Sequence, residues 1–246
     1  MSKVYFASDL HLGVPDKSTS LEREKLFVSW LIEIQKDAEA IYLLGDIFDF
    51  WFEYRKVIPK GYTRLLGKLS EIADSGIPVY FFTGNHDMWA FDYLKDEVGI
   101  KEIYRSPIEV SIKNKNFYLG HGDGLGPGDK GFKIIKKAFT NSLCQWLFER
   151  IHPNLGISIA EFWSKRSRIA NGLKDEIDHG EKEWLTQYCK EKMKTTNVDY
   201  FIFGHRHLPL DIDLGSNTRY INLGEWVNYN TYAVFDGEKL ALKEFS

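Results

Sequence analysis

Sulfur is scarce in this chain. Its 246 residues hold two cysteines, Cys144 and Cys189, far apart and without a Cys-x-x-Cys spacing. That excludes a cysteine-built metal or redox motif and leaves core packing as the expected role of both. No apolar run reaches the roughly 18 residues that a membrane span needs. Nor is there a leader-like apolar segment: Met1-Ser2-Lys3-Val4 runs straight into a short strand, so a cytoplasmic protein is expected. Excess positive charge is missing too, since 32 Lys and Arg stand against 35 Asp and Glu for a net charge of −3. A general nucleic-acid binder would be basic, so no nucleic-acid partner is expected. What the chain does have is 43% hydrophobic and 15% aromatic content. That is enough for one sizeable core, and a single domain over 1–246 is expected.

The aromatic residues cluster in apolar runs that end abruptly in chemistry-bearing side chains. Ile41 to Leu44 gives way to Gly45-Asp46-Ile47-Phe48-Asp49, which places Asp46 at the tip of a buried strand. Four other stretches have the same form. Val4 to Ala7 leads to Asp9 and His11, Val79 to Phe82 to Asn85 and His86, Phe117 to Leu119 to His121, and Tyr200 to Phe203 to His205 and His207. One Gly-Asp after a strand is most often a turn, and one His is most often structural. Five strand ends of this kind in order make a site.

Between the strands the periodicity turns helical. Ser20 is expected to cap a helix reaching about Lys36, and a second helix should run from about Gly61 to Ser75. Strand-helix-strand alternation predicts a largely parallel sheet with ligands at the carboxyl ends of its strands. After residue 100 the segments shorten. Ile108 to Ile112 and Phe117 to Leu119 read as a hairpin, and four short closing strands, 210–214, 219–223, 231–235 and 239–245, predict a second and more antiparallel sheet. The expected fold class is α/β: two packed mixed β-sheets flanked by helices, with polar strand ends at one rim.

One interval is too long. Asp9, Asp46, Asn85 and His121 follow one another at 37, 39 and 36 residues, but 84 separate His121 from His205. The surplus predicts an inserted helical cap over about 124–178. Phe132, Ile135, Phe139, Leu143 and Trp146 suggest one amphipathic helix, and Ile159, Phe162, Trp163 and Ile169 a second starting near Ser158. Such a stripe is also what a core-facing helix shows. Between Lys130 and Lys174 nine Lys and Arg oppose two acids, so this segment is near +7 while the remainder is near −10.

Asp9, His11, Asp46, Asn85, His121, His205 and His207 supply carboxylate, amide and imidazole donors and no sulfur. Two metal ions about 3.5–4 Å apart, sharing one carboxylate, need such a set, and the arrangement suits phosphoryl chemistry. Nitrogen and oxygen ligation fits Mn, Fe or Zn, with Mn²⁺ preferred here.

With these residues assembled, the chain resembles the calcineurin-like metallophosphoesterases. The motifs are Asp9-x-His11, Gly45-Asp46-x-x-Asp49, Gly84-Asn85-His86-Asp87, Gly120-His121-Gly122-Asp123 and Gly204-His205-Arg206-His207. The resemblance implies a first metal on Asp9, His11, Asp46 and His207 and a second on Asp46, Asn85, His121 and His205. It further implies a hydroxide nucleophile held between them, with Asp46, Asn85 and His86 in catalytic roles. The segment after His121 is similar to the cap of the UDP-2,3-diacylglucosamine diphosphatases, peripheral inner-membrane enzymes of lipid A synthesis. That likeness implies a lipid-nucleotide substrate cleaved to UMP and the acylated glucosamine 1-phosphate. It also implies substrate contacts at Asn85, His86, Asp129, Ser167, Asn171, Lys174 and His205.

Three positions depart from that pattern. His86 stands where those enzymes have Arg, Glu225 where they have Asp, and Phe132 where they often have Tyr. Histidine titrates near neutrality and can serve a poorer leaving group. This keeps open an alternative, a soluble enzyme acting on a phosphomonoester, phosphodiester or nucleotide. Glu225, longer than Asp, is expected to adjust hydrogen bonds around the metal histidines.

Overall fold

The chain starts with β1 (Lys3–Ala7), whose successive side chains enter two different cores. Val4 and Phe6 face one layer and Tyr5 and Ala7 the other, the period-two consequence of a strand buried on both sides. The computed structural model describes residues 2–127, 130–175, 180 and 183–246, and within these not the side chains of 130, 131, 165 and 167–175.

Helix α1 (Lys17–Ile34) is capped by Asp16, whose carboxylate accepts from the Ser18 and Thr19 amides at 2.8 and 3.0 Å. Ser20, the expected cap, sits inside the first turn and instead accepts the Gly13 N–H at 2.7 Å. A carboxylate satisfies two of the free amides of a helix start, which is why Asp16 prevails. Then come β2 (Ala38–Leu43), α2 (Thr63–Asp74), β3 (Val79–Phe82), the single-turn α3 (Tyr93–Asp96) and β4 (Glu102–Tyr104). No side chain of its own caps α2. Glu24 on α1 does so from outside, accepting from Arg64 and Leu65.

The hairpin β5 (Ile108–Ile112) and β6 (Lys115–Leu119) forms as expected. After it come α4 (Lys130–Phe139), α5 (Ser142–Glu149), α6 (Pro153–Asp175) and α7 (Trp184–Lys192). The apolar stripe from Phe132 to Trp146 thus belongs to two helices, because Asn141 starts α5 as its cap, accepting from Leu143 and Cys144. Helix α6 begins five residues before Ser158, at Pro153, where a missing N–H costs nothing. The chain closes with β7 (Tyr200–Phe203), β8 (Pro209–Gly215), β9 (Thr218–Leu223), β10 (Thr231–Phe235) and β11 (Leu240–Glu244).

Two mixed sheets result. The first has the order β11-β10-β1-β2-β3-β4, and the second β5-β6-β7-β9-β8. β10 and β11 therefore join the first sheet, pairing antiparallel to β1, and the second sheet holds two parallel and two antiparallel pairings. The sheets meet face to face over Phe6, Tyr42, Phe82, Phe117, Ile202 and Phe235. Helices α1 and α2 cover the outer face of the first sheet, and α7 that of the second. A further aromatic cluster, Phe50, Phe52, Tyr54, Met88 and Trp89, carries the inserted helices through Phe139, Phe148 and Ile157. The core role expected for cysteine holds for Cys189, whereas Cys144 is exposed on α5.

Candidate dimetal site

Each of the five loops after β1, β2, β3, β6 and β7 delivers its polar residues within two to four positions of the strand end, as the spacing predicted. The backbone there is unusual. Asp9, His11, Asp46, His205 and His207 all have φ between 44° and 68°, the left-handed region that non-glycine residues seldom adopt. Strain of this kind persists where surrounding structure over-determines it, typically at functional sites. The loops press together so closely that glycine is required: a Cβ on Gly84 would overlap the Asp46 carboxylate, and one on Gly204 that of Asp9.

The carboxylates also bind neighbouring backbones. Asp46 Oδ1 accepts from His86 N at 2.8 Å, and Asp9 from His205 N at 3.0 Å. Asp87 is the hub, accepting from Gly84 N at 2.7 Å, Ile47 N at 2.8 Å and Asp46 N at 3.2 Å. Burial, joined by the neighbouring Asp46 charge, pushes the Asp87 carboxyl up to about 7. In the sequence Asp87 is only the last residue of a motif, and nothing local to Gly-Asn-His-Asp announces a residue that ties two loops together.

The ligand atoms converge. His11 Nε2 and His207 Nε2 lie 3.1 Å apart, His121 Nε2 is 3.2 Å from Asp46 Oδ2, and Asn85 Oδ1 is 3.3 Å from His121 Nε2. Asp9, His11 and His207 form one group able to hold a cation, and Asp46, His121 and His205 another. A third, His11, Asp46 and His86, overlaps both. Leu44 O accepts from His121 Nδ1 at 2.8 Å; since a carbonyl can only accept, Nδ1 carries a hydrogen, and Nε2 is the atom that would face a cation once it gives up its proton.

Whether this set fits metal ions is decided by its electrostatics. Asp46 Oδ2 is buried with no satisfactory hydrogen bond, yet faces both His121 and His11. Burial would raise the Asp9 and Asp46 carboxyls, but histidine contacts hold both low: hydrogen bonds from His11 and His207 at Asp9, and the His121 charge at Asp46. Burial would likewise lower His11 and His121. Asp49 and Asp9 raise the first to about 10, and Asp46 raises the second to about 10. His205 is brought down to about 4 by burial and by His121, and burial lowers His86. Buried carboxylates thus draw protons onto imidazoles where cations belong, and the donor set fits two divalent ions.

Asp49 lies 3.5 Å from His11 Nδ1 and 3.6 Å from His86 Nδ1, behind both rings. Glu225 does something other than expected: its carboxylate accepts from the Val227 and Asn228 amides, closing its own turn. Arg206, between the two histidines of its motif, makes a buried ion pair with Glu183 at 2.8 Å. Asp129 and the side chains of Ser167, Asn171 and Lys174 lie outside the described residues.

Beside the centre, Asn85 and His86 help line a cavity of about 360 Å³ whose other walls include Phe132, Ile135, Phe139, Phe148 and Trp163. Asp49 and Phe50 separate it from a second cavity of about 720 Å³, bounded by Tyr62, Lys60, His152 and Asn154.

The family model of the calcineurin-like phosphoesterases matches residues 2–209, and the chain belongs to that family. It is a metal-dependent hydrolase with a site for two divalent ions. Among its relatives, the UDP-2,3-diacylglucosamine hydrolase of Porphyromonas gingivalis is 39% identical, over 98% of this chain and 97% of its own. The enzyme of the same name from Vibrio vulnificus is 28% identical over 98% and 97%. An archaeal phosphodiesterase structure, 15% identical, shares the fold with a TM-score of 0.51 over 98% of this chain and 99% of its own. Among the described residues no helix is long and apolar enough to cross a membrane.

Proposed function

We propose that this chain hydrolyses the pyrophosphate of UDP-2,3-diacylglucosamine, releasing UMP and 2,3-diacylglucosamine 1-phosphate. The observation that carries the reading is the shared wall: Asn85 and His86, beside the dimetal site, also line an apolar cavity built by the inserted helices. A substrate with phosphates at one end and acyl chains at the other needs that combination. A free nucleotide does not. Relatives of the same name spanning nearly the whole chain support it.

Asp9, His11, Asp46 and His207 would hold one ion and Asp46, Asn85, His121 and His205 the other, with Asp46 shared. Manganese suits these nitrogen and oxygen donors. Bound ions supply Lewis-acid stabilisation and a nucleophile at neutral pH. Asn85 and His86 orient the phosphoryl group at the mouth of the cavity. Asp129, Ser167, Asn171, Lys174 and His205 complete the substrate contacts, and 1–246 act as one domain with a cap over about 124–178.

The outer face of the inserted helices fits a peripheral place on the cytoplasmic surface of the inner membrane. Leu143, Trp146, Leu147, Leu155 and Phe162 are exposed there, with Arg150 lying 4.5 Å from the Trp146 ring centroid and Arg166 5.6 Å from that of Phe162. Exposed aromatics beside cations suit an anionic lipid surface.

UMP release from UDP-2,3-diacylglucosamine by the Mn²⁺-loaded protein tests the reading, beside p-nitrophenyl phosphate and an Asp46→Asn control. Robust release is expected, lost by about a thousandfold in the variant, because the shared carboxylate underlies several kcal/mol of charge stabilisation. Hydrolysis of the generic ester without turnover of the lipid nucleotide would refute it in favour of a soluble phosphoesterase.

A further inference from the structure

Ser164 lies outside every sequence motif, yet from α6 it reaches the loop that carries Asp46 and Asp49. It is buried on α6, 115 positions from Asp49 in the chain, and its Oγ donates to Asp49 Oδ2 at 2.8 Å. The same oxygen lies 3.3 Å from His86 Nδ1, which is also 2.9 Å from Asp49 O.

Proton counting fixes the directions. The carbonyl of Asp49 can only accept, so the His86 Nδ1 carries hydrogen and gives it to that oxygen. Ser164 has one hydrogen, committed to the Asp49 carboxylate, which leaves its lone pairs turned to the same Nδ1–H. The imidazole is then held with Nε2 as its lone-pair atom. Asp49, fixed by Ser164, stands 3.5 Å from Nδ1 of His11, on the far side of the ring from His207. A single hydroxyl therefore steadies a side chain at the cavity mouth and the carboxylate behind a metal-site imidazole.

We infer that Ser164 is a positioning residue for phosphoester hydrolysis: from α6 it steadies the His86 ring at Nδ1 and the Asp49 carboxylate behind His11, so that docking of the inserted helix completes the site. It does not touch the reacting atoms, and it rests on the hydrolase reading above. The helix that would shelter the acyl chains thereby also reports its own placement to the reacting end.

The experiment compares wild type, Ser164→Ala and Ser164→Thr. Turnover of UDP-2,3-diacylglucosamine and of bis-p-nitrophenyl phosphate is measured for each, with ¹⁵N spectra of the imidazoles recorded with a diamagnetic divalent ion bound. Loss of one hydrogen bond to a charged group is expected to lower kcat about tenfold with KM within twofold, on whichever substrate the wild type accepts. The Ala variant should shift and broaden the Nδ1–H signal of His86, which keeps its tautomer on Asp49 O but loses the oxygen beside it, and Thr, which keeps the hydroxyl, should restore both readouts. An unchanged kcat, or a fall in kcat with an unchanged His86 spectrum, overturns the proposal. If wild type ignores the lipid nucleotide but the Ala variant shows both changes on the generic diester, only the substrate assignment fails.

Discussion

The two-sheet core and the inserted helices treat large apolar side chains in opposite ways. Phe6, Phe117, Phe201 and Trp226 in the core are essentially inaccessible. Among the described residues thirteen large hydrophobics are exposed, and nine of them lie between Ile134 and Trp163. A soluble surface does not gather aromatics in this way without a use for them. The core is apolar because folding requires it; the inserted helices are apolar because something else is to be covered. Their footing on the core is narrow and specific: it includes the aromatic cluster around Trp89, the Trp89 Nε1–H donated to Phe139 O at 2.8 Å, the Lys136–Asp123 ion pair and the Ser164–Asp49 hydrogen bond.

Substituting one phenylalanine in each region is the sharpest way to break that contrast. Phe117→Ala opens a void where Phe6, Tyr200 and Phe235 meet, and is expected to cost about 3–5 kcal/mol in denaturant unfolding. Phe162→Ala, at a side chain 57% exposed, should change stability by no more than about 0.5 kcal/mol. Equal losses would mean that the inserted helices are simply more core.

A smaller effect separates the rim from everything around it. His11 and His121 are held up to about 10 by the carboxylates beside them, so in the metal-free protein at neutral pH both are protonated. A cation needs the neutral imidazoles and must displace those protons. Raised pKa values of a metal ligand mean affinity rises with pH, by about tenfold per unit for each proton displaced, until the pH reaches the imidazole values. Calorimetry in buffers of different ionisation enthalpy measures the protons released. A pH-independent affinity between 6 and 8 would show that the carboxylates do not protonate these rings.

The smallest expected change concerns the outer face. Trp146→Ser with Leu147→Ser should weaken binding to anionic vesicles several-fold, since two shallowly inserted side chains together contribute about 1 kcal/mol, well below the value of full burial. Hydrolysis of a soluble phosphoester should be unaltered. Binding that survives the change would place the membrane contact elsewhere.

Much of the centre was legible because it is local. A strand that ends in Asp, Asn or His announces itself in three or four residues, and five such ends in order name the donors. The positive φ values at Asp9 and His205 were not legible, since they arise from loops pressed against one another. Hydrogen bonds of long reach left no trace either. Arg23, which holds Leu10 O and His11 O from α1, and Ser164, which reaches Asp49 across the molecule, sit in ordinary helical sequence. Sheet membership was misassigned: 231–235 and 239–245 read correctly as strands, but they join the first sheet and not the expected second, because β10 pairs with β1, more than two hundred residues away.

By itself, then, the sequence determined the strand ends, the donor set and the existence of an extra helical segment, because each is written in short-range pattern and residue chemistry. Tertiary structure alone decided whether an apolar stripe faces a core, a cavity or solvent. Within each inserted helix the apolar residues keep the same 3.6-residue period in all three cases. Only packing leaves Phe148 against Phe52 and Trp146 exposed, because burial is a property of what lies opposite and not of the helix that carries it.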